Sequence, residues 1–179
     1  MDDYNKHFRE YKEIRDSIDK VSHKLSNKHK SYMKCKKGCD LCCMDYGILP
    51  IEFKYIEDKL RSENFKPEQP LSESGSGNCI FLKDHICTIY EHRPVFCRTH
   101  GLALLYTNDD FEWELSTCEL NFRQFDYENF TPDNTFPQDT FNSKLFMLNK
   151  QFIAESNDSA HTEFDLFPIK KLMENLNNK

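Results

Sequence analysis

The sequence has no long hydrophobic run. Its longest uninterrupted apolar stretch, residues 102–106, has five residues, far fewer than the roughly 20 that a membrane-spanning helix needs. The first residues show no basic segment followed by an apolar one, which is the pattern of a secretory signal. We therefore expect a cytoplasmic protein that does not enter a membrane.

The sequence also has no excess of positive charge. It contains 24 Lys and Arg against 30 Asp and Glu, a formal net charge of −6, so nucleic acid is not expected to be a main partner. One local exception is residues 20–38, which hold seven lysines and no acid. These lysines form either a solvated helix face or a cationic neighbourhood that favours thiolate in the cysteines that follow.

Two common enzymatic motifs are missing as well. The sequence contains no Gly-x-Ser-x-Gly, the turn that presents a hydrolase serine, and no glycine-rich loop suited to a methyl donor. Whether the protein is an enzyme is left open by these absences. Fifteen Phe and eight Tyr in 179 residues are typical of one folded domain rather than a disordered chain.

A heptad pattern predicts a long amphipathic helix near the start of the chain, over residues 4–32. The residues that recur every seven positions are Tyr4, Tyr11, Ile18, Leu25 and Tyr32. This apolar stripe packs either on the body of the same domain or on a protein partner as a coiled coil. We expect His7, His23 and His29, which lie along the same segment, to be solvated.

Further along, proline and apolar spacing predict shorter elements. Helices are expected to open at Pro50, Pro94 and Pro168, and Phe141, Leu145, Leu148 and Phe152 have the spacing of another helix. Two hairpins are predicted, one from residues 79–82 and 86–89 and one from residues 102–106 and 111–115. Residues 66–77, rich in Ser, Glu, Pro and Gly, are expected to form a mobile loop.

Eight cysteines are the unusual feature that is present. They form the series Cys35, Cys39, Cys42, Cys43, Cys79, Cys87, Cys97 and Cys118. Because disulfides are rare in a reducing compartment, we expect metal ligation rather than a disulfide framework. Gaps of two and three residues allow neighbouring thiolates to converge on one centre. We predict that all eight bind metal, and the soft donor set favours zinc or an iron–sulfur cluster.

The adjacent pair Cys42 and Cys43 bears on the number of centres. Consecutive side chains diverge, so we expect the two thiols not to chelate one ion side by side. Either they serve two centres, which eight thiolates would complete, or one of them stays free as a reactive thiol. Cys118, and with it Cys87, could instead be a buried core residue.

Four other side chains near Cys97 are candidates for supporting roles. His92 and His100 could replace a thiolate ligand, although a loop histidine is more often a surface or capping residue. Arg93 and Arg98 could orient thiolates and offset their charge, or they could form ordinary surface salt bridges.

These features together predict a mostly helical α+β fold. It would comprise the long N-terminal helix, the two short hairpins and a loop-rich cysteine centre organised by metal. We divide the chain into an N-terminal helical segment 1–34, a cysteine-cluster domain 35–120, and a C-terminal helical segment 121–179 that packs on the same domain.

The cysteine segment resembles the CxxCxxCC cysteine-cluster proteins, also called YkgJ-like and described as zinc- or iron-chelating. The resemblance rests on the tight group from Cys35 to Cys43, on Cys79, on the run Cys-Thr-Ile-Tyr-Glu-His-Arg-Pro over residues 87–94, and on Cys97-Arg98. One departure is the first gap, which has three residues where the family name implies two. The resemblance implies a metal or iron–sulfur site in a small cytoplasmic protein, with no established reaction.

Two alternatives stay beside this interpretation. The same cysteine group is similar to that of a flagellin lysine methylase, which implies an S-adenosylmethionine-dependent protein-modifying enzyme. A zinc-stabilised interaction module, in which metal replaces core volume, is the other. The three-cysteine spacing of radical S-adenosylmethionine enzymes is also present, but a helix precedes it and the chain is shorter than a usual barrel.

Overall fold

The computed structural model describes residues 2–66, 78–156 and 160–177, and the side chains from Lys6 onward. The predicted loop over residues 66–77 lies outside the described residues except for Lys66. The chain divides into two compact units, each built from separate stretches. Unit 1 is Met1–Tyr11, Lys37–Pro94 and Phe146–Lys179, and unit 2 is Lys12–Lys36 and Val95–Leu145. The contiguous segments 1–34, 35–120 and 121–179 stay a prediction.

The predicted N-terminal helix is present as α1, Asp2–Lys28. Tyr11, Ile18 and Leu25 of the heptad stripe are at most 3% exposed, so the chain itself covers this face and no protein partner is needed there. The helix ends before Tyr32, which the pattern had included, because the backbone turns from His29 to Tyr32. Tyr4 lies among the residues whose side chains are not described.

Unit 1 is organised around α2, Pro50–Ser62, which begins at proline as predicted. Ile51, Ile56 and Leu60 on this helix are at most 1% exposed. A short strand before the helix, β1 (Gly47–Ile48), pairs antiparallel with β7 (Phe167–Pro168). The predicted first hairpin is also present, as β2 (Leu82–Lys83) and β3 (Ile86–Cys87).

The last helix of unit 1 differs from its prediction. Pro168 does not open it, because this proline is the last residue of β7 and pairs with Gly47. The helix α5, Lys171–Asn177, starts three residues later. Leu172 of this helix is fully buried.

Unit 2 contains a small mixed sheet. The predicted second hairpin is β4 (Leu104–Thr107) with β5 (Trp113–Ser116). A strand that the sequence did not predict, β6 (Phe136–Pro137), pairs parallel with β4. The helix α3 (Val95–Thr99) follows Pro94 as predicted and carries Cys97, and α4 (Gln138–Glu155) follows β6 and extends into unit 1.

Two of the three histidines expected to be solvated are buried. The His7 side chain is 1% exposed, and its Nε2 atom lies 2.8 Å from a carboxylate oxygen of Glu155. His29 is 3% exposed, and its Nε2 atom donates to the carbonyl of Asn134 at 2.7 Å. The ring of His29 also packs edge-on against Phe122 and Phe125. The expectation was wrong because each ring finds a polar partner for Nε2 inside its unit, which offsets part of the cost of burial.

The mostly helical α+β class is confirmed. Helices α1, α2 and α4 supply most of the regular structure, and the sheets are short. No helix in the described part of the chain has the length and apolarity that crossing a membrane requires.

We predict that Phe136→Ala in unit 2 lowers the free energy of unfolding by about 3–5 kcal/mol. Phe136 is fully buried and its ring stacks on Phe141 at 5.0 Å, so truncation leaves a cavity. The matched control is Phe111→Ala in the β4–β5 turn, where the side chain is 89% exposed and a change within about 0.5 kcal/mol is expected. Urea unfolding of both variants measures this, and equal losses would contradict the assignment of the core.

Candidate metal centre

The eight cysteines are free thiols and fall into both units. Unit 1 holds Cys39, Cys42, Cys43, Cys79 and Cys87, and unit 2 holds Cys35, Cys97 and Cys118. Each unit therefore has its own group of sulfur donors, and the two groups are described in turn.

The first cysteine cluster of unit 1, residues 39–43, is a turn fixed by backbone hydrogen bonds. Gly38 enters it at a φ of +92°, a conformation that glycine adopts without strain, and the Cys43 amide donates to the carbonyl of Asp40 at 2.8 Å. The Cys79 amide in turn donates to the carbonyl of Cys43 at 3.0 Å. This bond joins two cysteines that are 36 positions apart in the sequence.

A side-chain contact supports the same arrangement. Nδ1 of His85, in the turn between β2 and β3, lies 2.9 Å from the Asp40 carboxylate. Asp84 and His85 both have positive φ values, 48° and 64°, which makes this a tight hairpin turn of the primed type. The hairpin and the first cysteine cluster are thus connected at two points.

Cys79 lies shortly before β2, Cys87 is the last residue of β3, and the charge of Cys87 acts on the Cys79 thiol. Burial raises the pKa of the Cys79 thiol to about 11, against the opposing effect of the Phe81 amide, and the neighbouring Cys87 adds to the rise. Burial likewise raises the pKa of Cys87, and the Ile89 amide and the Arg93 guanidinium oppose it. Both sulfurs are therefore partly desolvated, and each is close to the backbone N–H two residues further on.

The Cys42 and Cys43 thiols converge, contrary to the expectation that they diverge. A hydrogen bond between the two side chains, together with burial, raises the pKa of the Cys42 thiol far above its ordinary value. The expected divergence applies to helices and strands. The turn from Asp40 to Cys43 is neither, so the two side chains can lie together. The two thiols can consequently face one centre.

In unit 2 the sulfur of Cys35 is packed against Gly101 and Asn121. A Cβ atom added to Gly101 would lie 2.5 Å from Cys35 Sγ, so the sulfur occupies the space that a side chain at position 101 would take. The Asn121 side-chain amide donates to Cys35 Sγ at 3.2 Å and to the Gly101 carbonyl at 2.7 Å. Asn121 is 2% exposed.

The other candidates near Cys97 have identifiable partners. Arg98 forms an ion pair with Asp19 of α1 at 2.6 Å, and His100 packs edge-on against Phe96 in the same unit. In unit 1, Nε2 of His92 lies 2.8 Å from Glu63, and Arg93 lies 3.9 Å above the ring of Tyr90. The Arg93 guanidinium also acts on a thiol, because its charge opposes the rise in the pKa of Cys87 that burial causes.

The donor chemistry of the cysteines fits a thiophilic metal, but the described cysteine side chains do not surround one point. No group of three His, Cys, Asp or Glu residues in the described ranges is placed to hold an ion. The Cys42 thiol interacts with the Cys43 thiol, the charge of Cys87 acts on Cys79, and the backbone bond from Cys79 to Cys43 links these two pairs. Four soft donors in one unit are the ligands that zinc and iron prefer.

Sequence reasoning missed Asn121 and Gly101. Neither residue has a neighbour in the sequence that marks it, because their partners lie 86 and 66 positions away at Cys35. The φ of +88° at Gly101 is likewise visible only in the structure.

Comparison with known proteins gives one match. Residues 34–119 match the model of the CxxCxxCC family, which is described as a "Putative zinc- or iron-chelating domain". This supports metal binding in general. No curated protein and no solved structure matches the chain.

We predict that Gly101→Ala is more destabilising than Gly38→Ala. Both glycines have φ near +90°, so each substitution carries a left-handed strain of roughly 1–2 kcal/mol. Only the alanine at 101 also collides with Cys35 Sγ, since nothing lies within 4 Å of a Cβ at Gly38. The extra loss should be about 1 kcal/mol or more, measured by urea unfolding under reducing conditions. Equal losses would mean that Cys35 Sγ moves away freely.

Proposed function

The chain belongs to the CxxCxxCC family through residues 34–119, and from this premise we propose that it binds zinc or iron through cysteine thiolates of unit 1. Cys42, Cys43, Cys79 and Cys87 form the proposed centre. Cys39, in the same turn, and Cys35, Cys97 and Cys118 of unit 2 remain proposed ligands to which we assign no centre.

The observation that carries the proposal is the desolvated pair of Cys79 and Cys87. Burial disfavours a negative charge on either sulfur, and the charge of Cys87 further disfavours a charge on Cys79. A bound cation would reverse both effects, because metal binding replaces the thiol protons and offsets the thiolate charges. Cys79 and Cys87 therefore have the environment expected of two metal ligands.

Backbone amides already supply part of the surroundings that a thiolate centre needs. The Phe81 amide acts on Cys79 and the Ile89 amide acts on Cys87, each in the direction that stabilises the anion. Hydrogen bonds to sulfur orient thiolate ligands and tune the metal they hold. Arg93, which acts on Cys87 by charge, adds a fixed cation nearby.

The convergence of Cys42 and Cys43 supports their membership of the same centre. Their thiols interact directly, and the Cys43 carbonyl accepts the hydrogen bond of the Cys79 amide. A four-thiolate set from two short loops is a common form of closed structural zinc site. When bound, the metal would supply a cation that holds the 39–43 turn and the hairpin together.

The finer parts of the proposal concern the cofactor and its setting. An iron–sulfur cluster is proposed beside zinc, because four thiolates satisfy either. Because the centre needs reduced thiols, the proposal includes a cytoplasmic location. Duties of storage, delivery, sensing or electron transfer are all compatible with it. The S-adenosylmethionine-dependent enzyme and the zinc-stabilised interaction module stay predictions, since no observation in the structure favours either one.

We predict that protein purified anaerobically carries about one metal ion or cluster per chain and that Cys79→Ser and Cys87→Ser each lose most of it. Serine keeps the size of the side chain but removes the soft donor. Elemental analysis by mass spectrometry, with protein quantified by amino-acid analysis, measures the stoichiometry. Metal-free wild-type protein in which alkylation titrates eight thiols would overturn the proposed function.

The matched control for these variants is Thr88→Val. Thr88 neighbours Cys87, and its hydroxyl donates to the Phe81 carbonyl at 3.0 Å, while its amide donates to the same carbonyl at 2.8 Å. The substitution perturbs the hairpin but removes no thiol. Full metal content in Thr88→Val, with loss in the two serine variants, separates ligation from a general effect on the hairpin.

We further predict that the absorption spectrum distinguishes a zinc centre from an iron–sulfur cluster. A zinc–thiolate centre is colourless in the visible range, whereas a cluster gives a broad band near about 400 nm from sulfur-to-iron charge transfer. Absorption spectra and acid-labile sulfide should therefore be measured on the same anaerobic sample as the metal content. Iron without sulfide would exclude the cluster, and zinc without iron would exclude iron in both forms.

A further inference from the structure

Asn121 is a buried amide whose side chain joins separate parts of unit 2. Its Oδ1 atom accepts the Lys34 amide at 2.6 Å, and its Nδ2 atom donates to the Gly101 carbonyl at 2.7 Å and to Cys35 Sγ at 3.2 Å. Its own backbone amide donates to the Cys118 carbonyl at 2.9 Å. One residue thus contacts the segments of Cys35 and Cys118 and Gly101, which lies in the loop between α3 and β4.

The neighbouring residue holds Asn121 in place. Phe122 is fully buried, has a φ of 61°, and donates its amide to the Tyr32 carbonyl at 2.9 Å. Its ring packs against His29, Phe125 and Phe130. Asn121 and Phe122 therefore bind the backbone of residues 32–34 at two points, immediately before Cys35.

Unit 1 contains a second buried asparagine with the same backbone contacts but no cysteine. Asn149 is fully buried, its Oδ1 atom accepts the Ile51 amide at 3.1 Å, and its Nδ2 atom donates to the Glu163 carbonyl at 3.0 Å. Joining two backbone segments is therefore a task that an asparagine performs elsewhere in this protein without sulfur. The contact with Cys35 Sγ is what distinguishes Asn121.

We propose that Asn121 is a positioning residue that directs the Cys35 thiolate as a metal ligand. This inference rests on the proposed function, because it requires Cys35 to bind the metal. An amide N–H aimed at sulfur fixes the side-chain orientation and stabilises the charge of a ligating thiolate. Gly101 also contacts the sulfur, because a Cβ atom built on Gly101 would lie 2.5 Å from Cys35 Sγ. The sulfur therefore lies between the Asn121 amide and the backbone of Gly101.

The test compares Asn121→Asp with Asn149→Asp in the full chain. Each substitution keeps the side-chain shape and the oxygen that accepts a backbone amide. Each also replaces the Nδ2 donor by a carboxylate oxygen that faces a backbone carbonyl. Only Asn121→Asp places this charge against the Cys35 sulfur. Zinc affinity, measured by competition with a chromophoric chelator, and urea unfolding of the metal-free protein are the two readouts.

We expect Asn121→Asp to weaken zinc binding by about ten- to a hundredfold, the usual range for partners of metal ligands. Asn149→Asp should leave zinc affinity unchanged, although both variants should lose similar stability. Equal zinc affinities in the two variants would overturn the inference. If either aspartate variant does not fold, the uncharged pair Asn121→Ser and Asn149→Ser decides by the same comparison, with a smaller expected difference of the same sign.

A Cys35→Ser variant separates this inference from the proposed function. Reduced zinc affinity in Cys35→Ser is the result that the inference requires, and wild-type affinity in this variant would overturn it while leaving the unit 1 centre intact. Wild-type protein that binds no zinc or iron would overturn both. A difference between the two asparagine variants together with a loss in Cys35→Ser supports the assignment of Asn121.

Discussion

The hydrogen bond from the Cys79 amide to the Cys43 carbonyl is the contact on which the candidate centre depends. It joins the 39–43 turn to the β2–β3 hairpin, and these two pieces of chain carry all five cysteines of unit 1. Neither piece has enough regular structure to bury a core of its own. The Asp40–His85 contact adds a second link between them. Without these two links the thiol pairs would belong to separate loops. Binding a ligand would then reduce the conformational entropy of both loops.

The distribution of charge around the thiols supports the proposal that they bind metal. Burial alone would make Cys79 and Cys87 into ordinary hydrophobic residues. Their sulfurs, however, are close to backbone amides, and Cys87 is also close to Arg93. The protein thus provides partial positive charge where an anion would form, but not enough of it to stabilise the anions alone. This balance is typical of ligands that are organised for a cation.

Periodic and local features of the fold could be predicted from the sequence, and contacts between distant segments could not. Tyr11, Ile18 and Leu25 marked α1 because a heptad stripe needs only local spacing, and Pro50 marked the start of α2. The strand pairs β1 with β7 and β4 with β6 were missed, because β1, β6 and β7 have two residues each and no alternating pattern can appear over that length. His7 and His29 were misjudged for a related reason, since the groups that satisfy them, Glu155 and the Asn134 carbonyl, lie more than 100 residues away. For the site, cysteine spacing supplied the candidate donors, while the contacts among them and the contact of Asn121 with Cys35 are visible only in the structure.

Because Gly101 has no side chain, the identity of residue 101 determines where the sulfur of Cys35 can lie. Because the Cys35 sulfur fills the volume beside the Cα atom of Gly101, the two positions share a single space. A related chain with any side chain at this position would have no room for a sulfur from position 35 in the same place. Residue 101 can therefore serve as a marker when related sequences are compared. A glycine there indicates that the cysteine at position 35 can occupy the same space. A larger residue indicates that this cysteine is directed elsewhere or replaced.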